Sequence, residues 1–287
     1  ISTNRRELQS AGRKITTSIK LKVPENLRLE ADNEFGDIIV TGLRNDCSLK
    51  VKKGDITATS IMGMVEVESD SESAELEGIE GDVKVNAKFC EVEIRDVAGN
   101  ISVITSHKPV KVSGVKGNLK VENRHDDVEA KDISGTVDIN NPGGGLSLSG
   151  IGGSVKAVNS KGDVNLSGIS GPVNLSTAYG SVALADIGTP LEIASRHVDI
   201  EGHGFASSVV VRGQTSRVTL KDLENELVIE TSQEPVEIVN AGGSVSIQND
   251  LGRVKLRLED PPGSNIRIES RQGDIEVAIF QAAAELL

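Results

Sequence analysis

Apolar residues along Val65–Pro190 recur in one fixed pattern. Seven copies of an eighteen-residue unit lie end to end, beginning at Val65, Val83, Ile101, Leu119, Val137, Val155 and Val173. Within each copy apolar side chains fall at positions 1, 3, 10, 12 and 15: Val83, Val85, Val92, Ile94 and Val97 in one, Val137, Ile139, Leu146, Leu148 and Ile151 in another. Self-similarity at a fixed period marks a solenoid. The pairs 1/3 and 10/12 have the two-residue period of strands, and no 3.6-residue helical period survives. Each unit therefore supplies two short strands and a third apolar corner at position 15. Five aliphatic side chains do not offset the entropy of ordering eighteen residues, so a unit must stack on its neighbours to fold.

The polar positions mark the bends. Position 14 is Gly, Asp, Asn or Ser in every unit from Gly42 and Ser60 through Asp222 and Asn240, mostly residues that tolerate positive φ. Position 17 is Gly63, Gly81, Gly99, Gly117, Gly135, Gly153, Gly171 and, later, Gly243. Positions 8 and 9 often read Gly-Asp before a β-branched residue, as in Gly36-Asp37-Ile38, Gly54-Asp55-Ile56, Gly162-Asp163-Val164 and Gly273-Asp274-Ile275, which are turn signals. Position 5 shares the inward parity of 1 and 3 and carries Thr105, Asn123, Asn141, Asn159, Thr177 and Ser195. Stacked in register, the three asparagines are expected to form a ladder of amides bonded to one another.

The pattern extends beyond the seven clear copies. Units in register start at Leu29 and Cys47, and again at Val209, Leu227 and Val245. After Pro190 the register reads as wavering, with Val198 and Ile200 early, a shortened turn, and Phe205 at the corner. Asp260-Pro261-Pro262-Gly263 reads as an inserted loop before Ile266 and Ile268. The expectation is an all-β, single-stranded parallel β-helix of about fourteen turns. At about 4.8 Å per turn it is roughly 65 Å long. The preference of parallel crossovers makes it right-handed. Residues 1–28 are read as an N-terminal extension and cap, with 15–28 over the first rung, and 29–280 as the solenoid. Residues 281–287 are read as a C-terminal cap, with Phe280, Leu286 and Leu287 over the last rung, because open strand edges are normally covered.

Composition narrows the function classes. A net charge of −12 disfavours non-specific nucleic-acid binding. No apolar run reaches the length of a membrane span. The chain begins at Ile1 with no signal peptide and no initiator Met, consistent with a processed or trimmed form. Cys47 at position 1 and Cys90 at position 8 belong on different sides of the coil, too far apart for a disulfide. Two unpaired cysteines favour a reducing compartment, although a small core residue explains Cys47 equally well.

Candidate chemistry is sparse. His107 and His125 both occupy position 7 of adjacent units, with His197 further on, which raises a metal site. Phe35, Phe89 and Tyr179 share that position, so a column of rings packing at a turn is the better reading, and no metal or cofactor is expected. Asp at 9 and 14 lacks the paired-glycine calcium nonapeptide. Glu75, Glu77, Glu91 and Glu93 form an acidic strip that reads as a solvated face. Gly143-Gly144-Gly145 lacks the Lys-Ser/Thr of a phosphate loop. Aromatic residues make up only 2% of the chain, which leaves few platforms for sugar stacking, and short uniform loops offer no catalytic groove. Outward position 2 carries Glu66, Lys84, Ser102, Lys120, Asp138 and Lys156. By contrast, the row at 11 and 13 ends in small, weakly charged residues: Ser147, Ser149, Asn165, Ser167, Ala183 and Ala185. That flat patch is the candidate interaction face.

Two stretches carry a family resemblance: Lys161-Gly162-Asp163-Val164-Asn165-Leu166-Ser167-Gly168-Ile169-Ser170-Gly171, and Val23-Pro24-Glu25-Asn26-Leu27-Arg28-Leu29 ahead of Phe35-Gly36-Asp37-Ile38. Over about residues 20–280 the chain resembles the bacterial adhesin-like β-solenoids, or toastrack-type domains, a family of unknown function. The resemblance implies a cell-envelope protein, periplasmic or extracellular, often attached to a membrane segment and sometimes linked to envelope-stress sensing. It carries no catalytic residues. The functional expectation is a non-catalytic bacterial envelope scaffold or adhesin-like binding module, with a protein, an envelope glycan or a second copy as partner. The alternatives are a polysaccharide-acting β-helix enzyme and, for location, the cytoplasm.

Overall fold

The structure is a computed structural model and describes residues 22–259 and 265–279. Twenty-four β-strands, from Leu29–Phe35 to Ile275–Ile279, make up all its regular structure. Strands pair in parallel, residue to residue at a separation of eighteen: Val155 with Val173, Val164 with Val182, Leu191 with Val209. The chain is a β-solenoid of about fourteen turns, with two strands per turn. In four rungs the two strands merge and run fifteen residues through the bend: Val65–Ile79, Val83–Val97, Val173–Ile187 and Leu191–Phe205.

Positions 1, 3, 10, 12 and 15 fill one continuous core running the length of the rod. Side chains such as Ile56, Leu76, Val92, Ile139 and Leu166 are excluded from solvent. Outside, stacked charges pair across rungs, as in Lys84–Glu66 at 2.9 Å and Lys50–Glu68 at 2.8 Å. Such exposed pairs contribute about 0–1 kcal/mol each. The rod is held by its core and its backbone ladder.

The two glycine-rich columns do different jobs. Position 14 is a conformational requirement: all twelve residues from Gly42 to Asn240 have positive φ, between 54° and 75°. Position 17 is a requirement for close approach. A Cβ on Gly153 would stand 2.4 Å from the Gly135 carbonyl oxygen, and Gly81, Gly99 and Gly117 meet the preceding rung in the same way. Short polar side chains then tie rung to rung. Asp37, Asp55, Asp127 and Asp163 at position 9 each accept from the backbone amide eighteen residues on. Asp46, Asp82, Asn100 and Asn118 do the same at position 18.

Two expectations change. The register does not waver after Pro190: Ile200 pairs with Val182, Gly202 with Leu184 and Phe205 with Ile187, all at the ordinary separation. The irregularity is chemical. Gly202 leaves position 12 without a side chain, and the Phe205 ring fills the space, its Cζ 2.7 Å from where a Gly202 Cβ would sit. The asparagine ladder is also corrected. Asn123, Asn141 and Asn159 are buried and stacked, but their amides do not bond one another. Each reaches across the bend to a backbone carbonyl: Asn123 to Lys108 and Asp126, Asn141 to Gly145 at 2.8 Å, Asn159 to Gly144 at 3.1 Å. The amide nitrogens are spent on bend carbonyls, which leaves the buried Oδ1 atoms of Asn123 and Asn141 without a partner, so the ladder latches the turn.

The N-terminal side keeps to the same frame. Residues 22–28 are exposed and run beside the next bend, where the Arg44 amide donates to the Glu25 carbonyl at 2.7 Å and Asn45 donates to the Asn26 carbonyl. Arg44 and Asn45 belong to the first rung, 29–46, so residues 22–28 lie against the last corner of that rung. Residues 15–21, the inserted loop at 260–263 and the C-terminal cap from Phe280 lie outside the described residues.

Candidate functional site

The expected interaction face exists as a surface. Ser147, Asn165 and Ala183 pair in one outward column, and Ser149, Ser167 and Ala185 in the next. The first column is exposed and the second half-buried. Glu129 and Lys131 border the patch on one side, Glu201 and His203 on the other. It is flat and carries no charge.

The acidic strip is countered by cations. Arg95 pairs with Glu93 and lies 3.5 Å from Glu75, and Lys111 lies 3.6 Å from Glu91. The position-7 column is a stack of rings, with Phe89 and His107 at 4.5 Å between centroids, His107 and His125 at 4.8 Å, and Tyr179 and His197 at 5.5 Å. Phe89 and Tyr179 stay half-exposed, so the rings stack on one another at the solvent edge of the bend. Among the described residues no group of three or more His, Cys, Asp or Glu side chains is placed to share a cation. Gly143-Gly144-Gly145 is the bend to which Asn141 and Asn159 latch.

Cys47 and Cys90 are free and buried on different columns. Burial pushes both thiols up to about 11, with Asp46 adding to the effect at Cys47. Neither is poised as a nucleophile. Asp163 is the reverse case: the Ser181 hydroxyl, at 2.7 Å, and the Ser181 amide hold its carboxyl below the usual range.

Sequence reasoning missed a second feature. Outward positions 4 and 6 between Val158 and Asp250 line an open groove of about 660 Å³. It crosses six rungs, about 24 Å along the axis at 4.8 Å per rung. Its floor is low because Ser176, Ala178 and Ala194 are small. Tyr179, with the Arg196 guanidinium 5.8 Å from its ring centroid, borders the groove at position 7. Arg212 crosses the middle, bound to Glu192 and Glu230. The signal was present in those three small outward residues, but it takes the pairing register to place them side by side.

The position-7 edge beside the groove is strained. Tyr179, His197, Thr215 and Gln233 hold φ of 52°, 55°, 53° and 73° in four successive rungs. Holding a non-glycine residue there costs about 1–3 kcal/mol. Position 14 meets the same conformation with Gly, Asp, Asn and a single Ser. At position 7 the chain keeps side chains that stack or hydrogen-bond. A second hollow, about 670 Å³ along positions 14–16, has Phe205, Leu223, Ala241 and Leu258 as its floor.

The arrangement can hold an extended partner. It offers a flat neutral patch on one face and, on another, a polar groove with an aromatic and arginine edge. Among the described residues no helix is long and apolar enough to cross a membrane. No family model, no curated protein and no solved structure matched the chain.

Proposed function

We propose that this protein is a non-catalytic binding module or scaffold of the bacterial cell envelope, adhesin-like in character. The carrying observation is that uniform eighteen-residue rungs set outward side chains in straight columns, so polar surface is spread along the rod instead of converging on a point. Extended surfaces suit extended or repeating partners. The envelope location rests on the resemblance to toastrack-type solenoids. Fold alone does not choose among functions. The test is co-sedimentation of the purified protein with peptidoglycan and with envelope fractions, run beside sedimentation velocity of the protein alone. Retention by a fraction, or a defined oligomer, supports the reading. A strictly monomeric protein that no fraction retains would overturn it.

One observation favours a second reading. Glu230 and Asp250 both line the groove, and paired carboxylates are the machinery of glycoside hydrolysis. Release of new reducing ends from envelope polysaccharide, abolished by Glu230→Gln, would establish a polysaccharide-acting enzyme instead.

A further inference from the structure

We infer that the groove between Val158 and Asp250 binds a neutral, linear oligosaccharide laid along the solenoid axis. This rests on the binding-module reading and names its ligand class.

Four observations lead there. First, a peptide that binds by strand addition needs free backbone groups, and the groove floor offers none as an edge. Its residues are outward side chains of strands whose ladder bonds run along the axis, Val155–Asn159 to Val173–Ile187 to Leu191–Phe205 to Val209–Gln214. Recognition must come from side chains. Second, those side chains are planar and polar: Arg196, Arg212, Gln214, Glu230, Gln248 and Asp250. Such groups grip neighbouring hydroxyls, which both donate and accept. Third, the charges balance, two arginines against one glutamate and one aspartate, in a chain of net charge −12. A carboxylated polymer would meet repulsion from Glu230, Asp250 and the rod as a whole, whereas a neutral one would not. Arg212 is free to exchange partners, because its pairs with Glu192 and Glu230 are exposed.

The fourth observation is the edge itself. Tyr179 is half-exposed there, with His197 stacked on it at 5.5 Å, and it is the only Tyr of a chain that has few rings. His197 covers part of the ring, and the exposed remainder, beside hydroxyl-binding groups, is an apolar surface against which a sugar ring can pack. The edge keeps Tyr, His, Thr and Gln through four rungs in a conformation that favours glycine. Tyr179 stacks on His197, and Thr215 donates to Gln233, so the edge is a preformed row of ring and polar groups beside the groove.

The chain supplies its own reporter. It has one Tyr and no Trp, so tyrosine emission reads Tyr179 alone. The probes are the β-1,4-linked hexasaccharides of glucose and of N-acetylglucosamine, with hexagalacturonate as the acidic comparison, titrated by calorimetry and by emission. Ala194→Arg fills the floor at an exposed position, and Ser147→Arg alters the other face. The expected result is saturable binding of a neutral hexasaccharide with a change in Tyr179 emission, weakened at least ten-fold by Ala194→Arg and unaltered by Ser147→Arg. Binding that both variants leave intact, with emission unmoved, overturns the groove assignment and leaves the module reading standing. Tighter binding of hexagalacturonate overturns the neutral ligand class. If no hexasaccharide binds, the inference fails, and the envelope co-sedimentation decides the module reading separately.

Discussion

Three glycine-to-alanine variants separate the ways in which glycine serves this fold. In Gly153→Ala the new Cβ would stand 2.4 Å from the Gly135 carbonyl oxygen and 2.5 Å from its carbon. Ordinary contact begins near 3.4 Å, so the rungs must part locally by 3.4 − 2.4 = 1.0 Å. That opening breaks the 3.1 Å bond from the Gly153 amide to Gly135 and strains its neighbours. Losing one or two packed backbone bonds and leaving their groups unmet costs about 3 kcal/mol. In Gly168→Ala the nearest atom lies 3.6 Å away, and only the φ of +59° resists, at about 1 kcal/mol. In Gly188→Ala nothing lies within 4 Å and φ is not positive, so the change is neutral or slightly stabilising. At about 3 °C per kcal/mol, melting should fall by about 10 °C, about 3 °C and not at all. Hydrogen exchange adds location, because in a solenoid each rung touches only its neighbours. Faster exchange in Gly153→Ala should appear around residues 117–171 and be absent at 47–79. Equal melting of Gly153→Ala and Gly188→Ala would refute the close-approach account of position 17.

Asn141→Leu should cost about 1 kcal/mol, since it deletes one amide bond to Gly145, whose carbonyl still accepts from Val128, while Asn140→Leu on the exposed side is near neutral; denaturant titration of both checks the parity, and equal midpoints would contradict it. Asn123→Leu should cost about twice as much as Asn141→Leu, because its amide makes two bonds. Gly202→Ala should destabilise by about 1–3 kcal/mol through its clash with Phe205 and Leu184, and Phe205→Leu in the same chain should recover part of that loss; a double-mutant cycle with no coupling would show that Phe205 does not fill the Gly202 space. Cys47 and Cys90 should resist iodoacetamide at pH 8 in the native state, with about 100-fold less thiolate than at the ordinary value and burial besides, and should react fully in denaturant. The same shift sets a pH dependence: above pH 9 the unfolded chain releases thiol protons that the native state retains. Native stability therefore falls as pH rises from 9 toward 11, at up to about 1.4 kcal/mol per pH unit per thiol, and Cys90→Ala should flatten that decline.

The architecture was legible because one apolar period repeats many times, and each copy confirms the parity of the last. Chemical substitutions within a fixed frame were harder to read. Gly202 removes an apolar mark and Val198 adds one at position 8, so the frame looked shifted although every backbone partner was in place. The asparagines were correctly turned inward, yet parity says nothing about which acceptor lies nearest. The flat patch could be read along one column, since its residues are alike. The groove could not, because it depends on small floor residues in some rungs lying beside long ones in others, and on position 7 taking positive φ only from Tyr179 to Gln233 among the groove rungs. That conformational change has no compositional signature in residues such as Thr215.

The fixed separation of eighteen between partners makes the chain a ruler with one graduation per rung. Removing a whole unit, for instance Val137–Ser154, brings Val155 onto Leu119 and leaves every column intact, shortening the rod by about 4.8 Å. Removing one residue from a strand turns the next inward side chains outward. The one departure among the later rungs obeys this rule: Val245 pairs with Ile266 at a separation of twenty-one, and the three extra residues fall between strands. Length can therefore change by duplication or loss of whole units while the surface chemistry of every remaining rung is conserved. A partner that reads several rungs at once would be sensitive to that count.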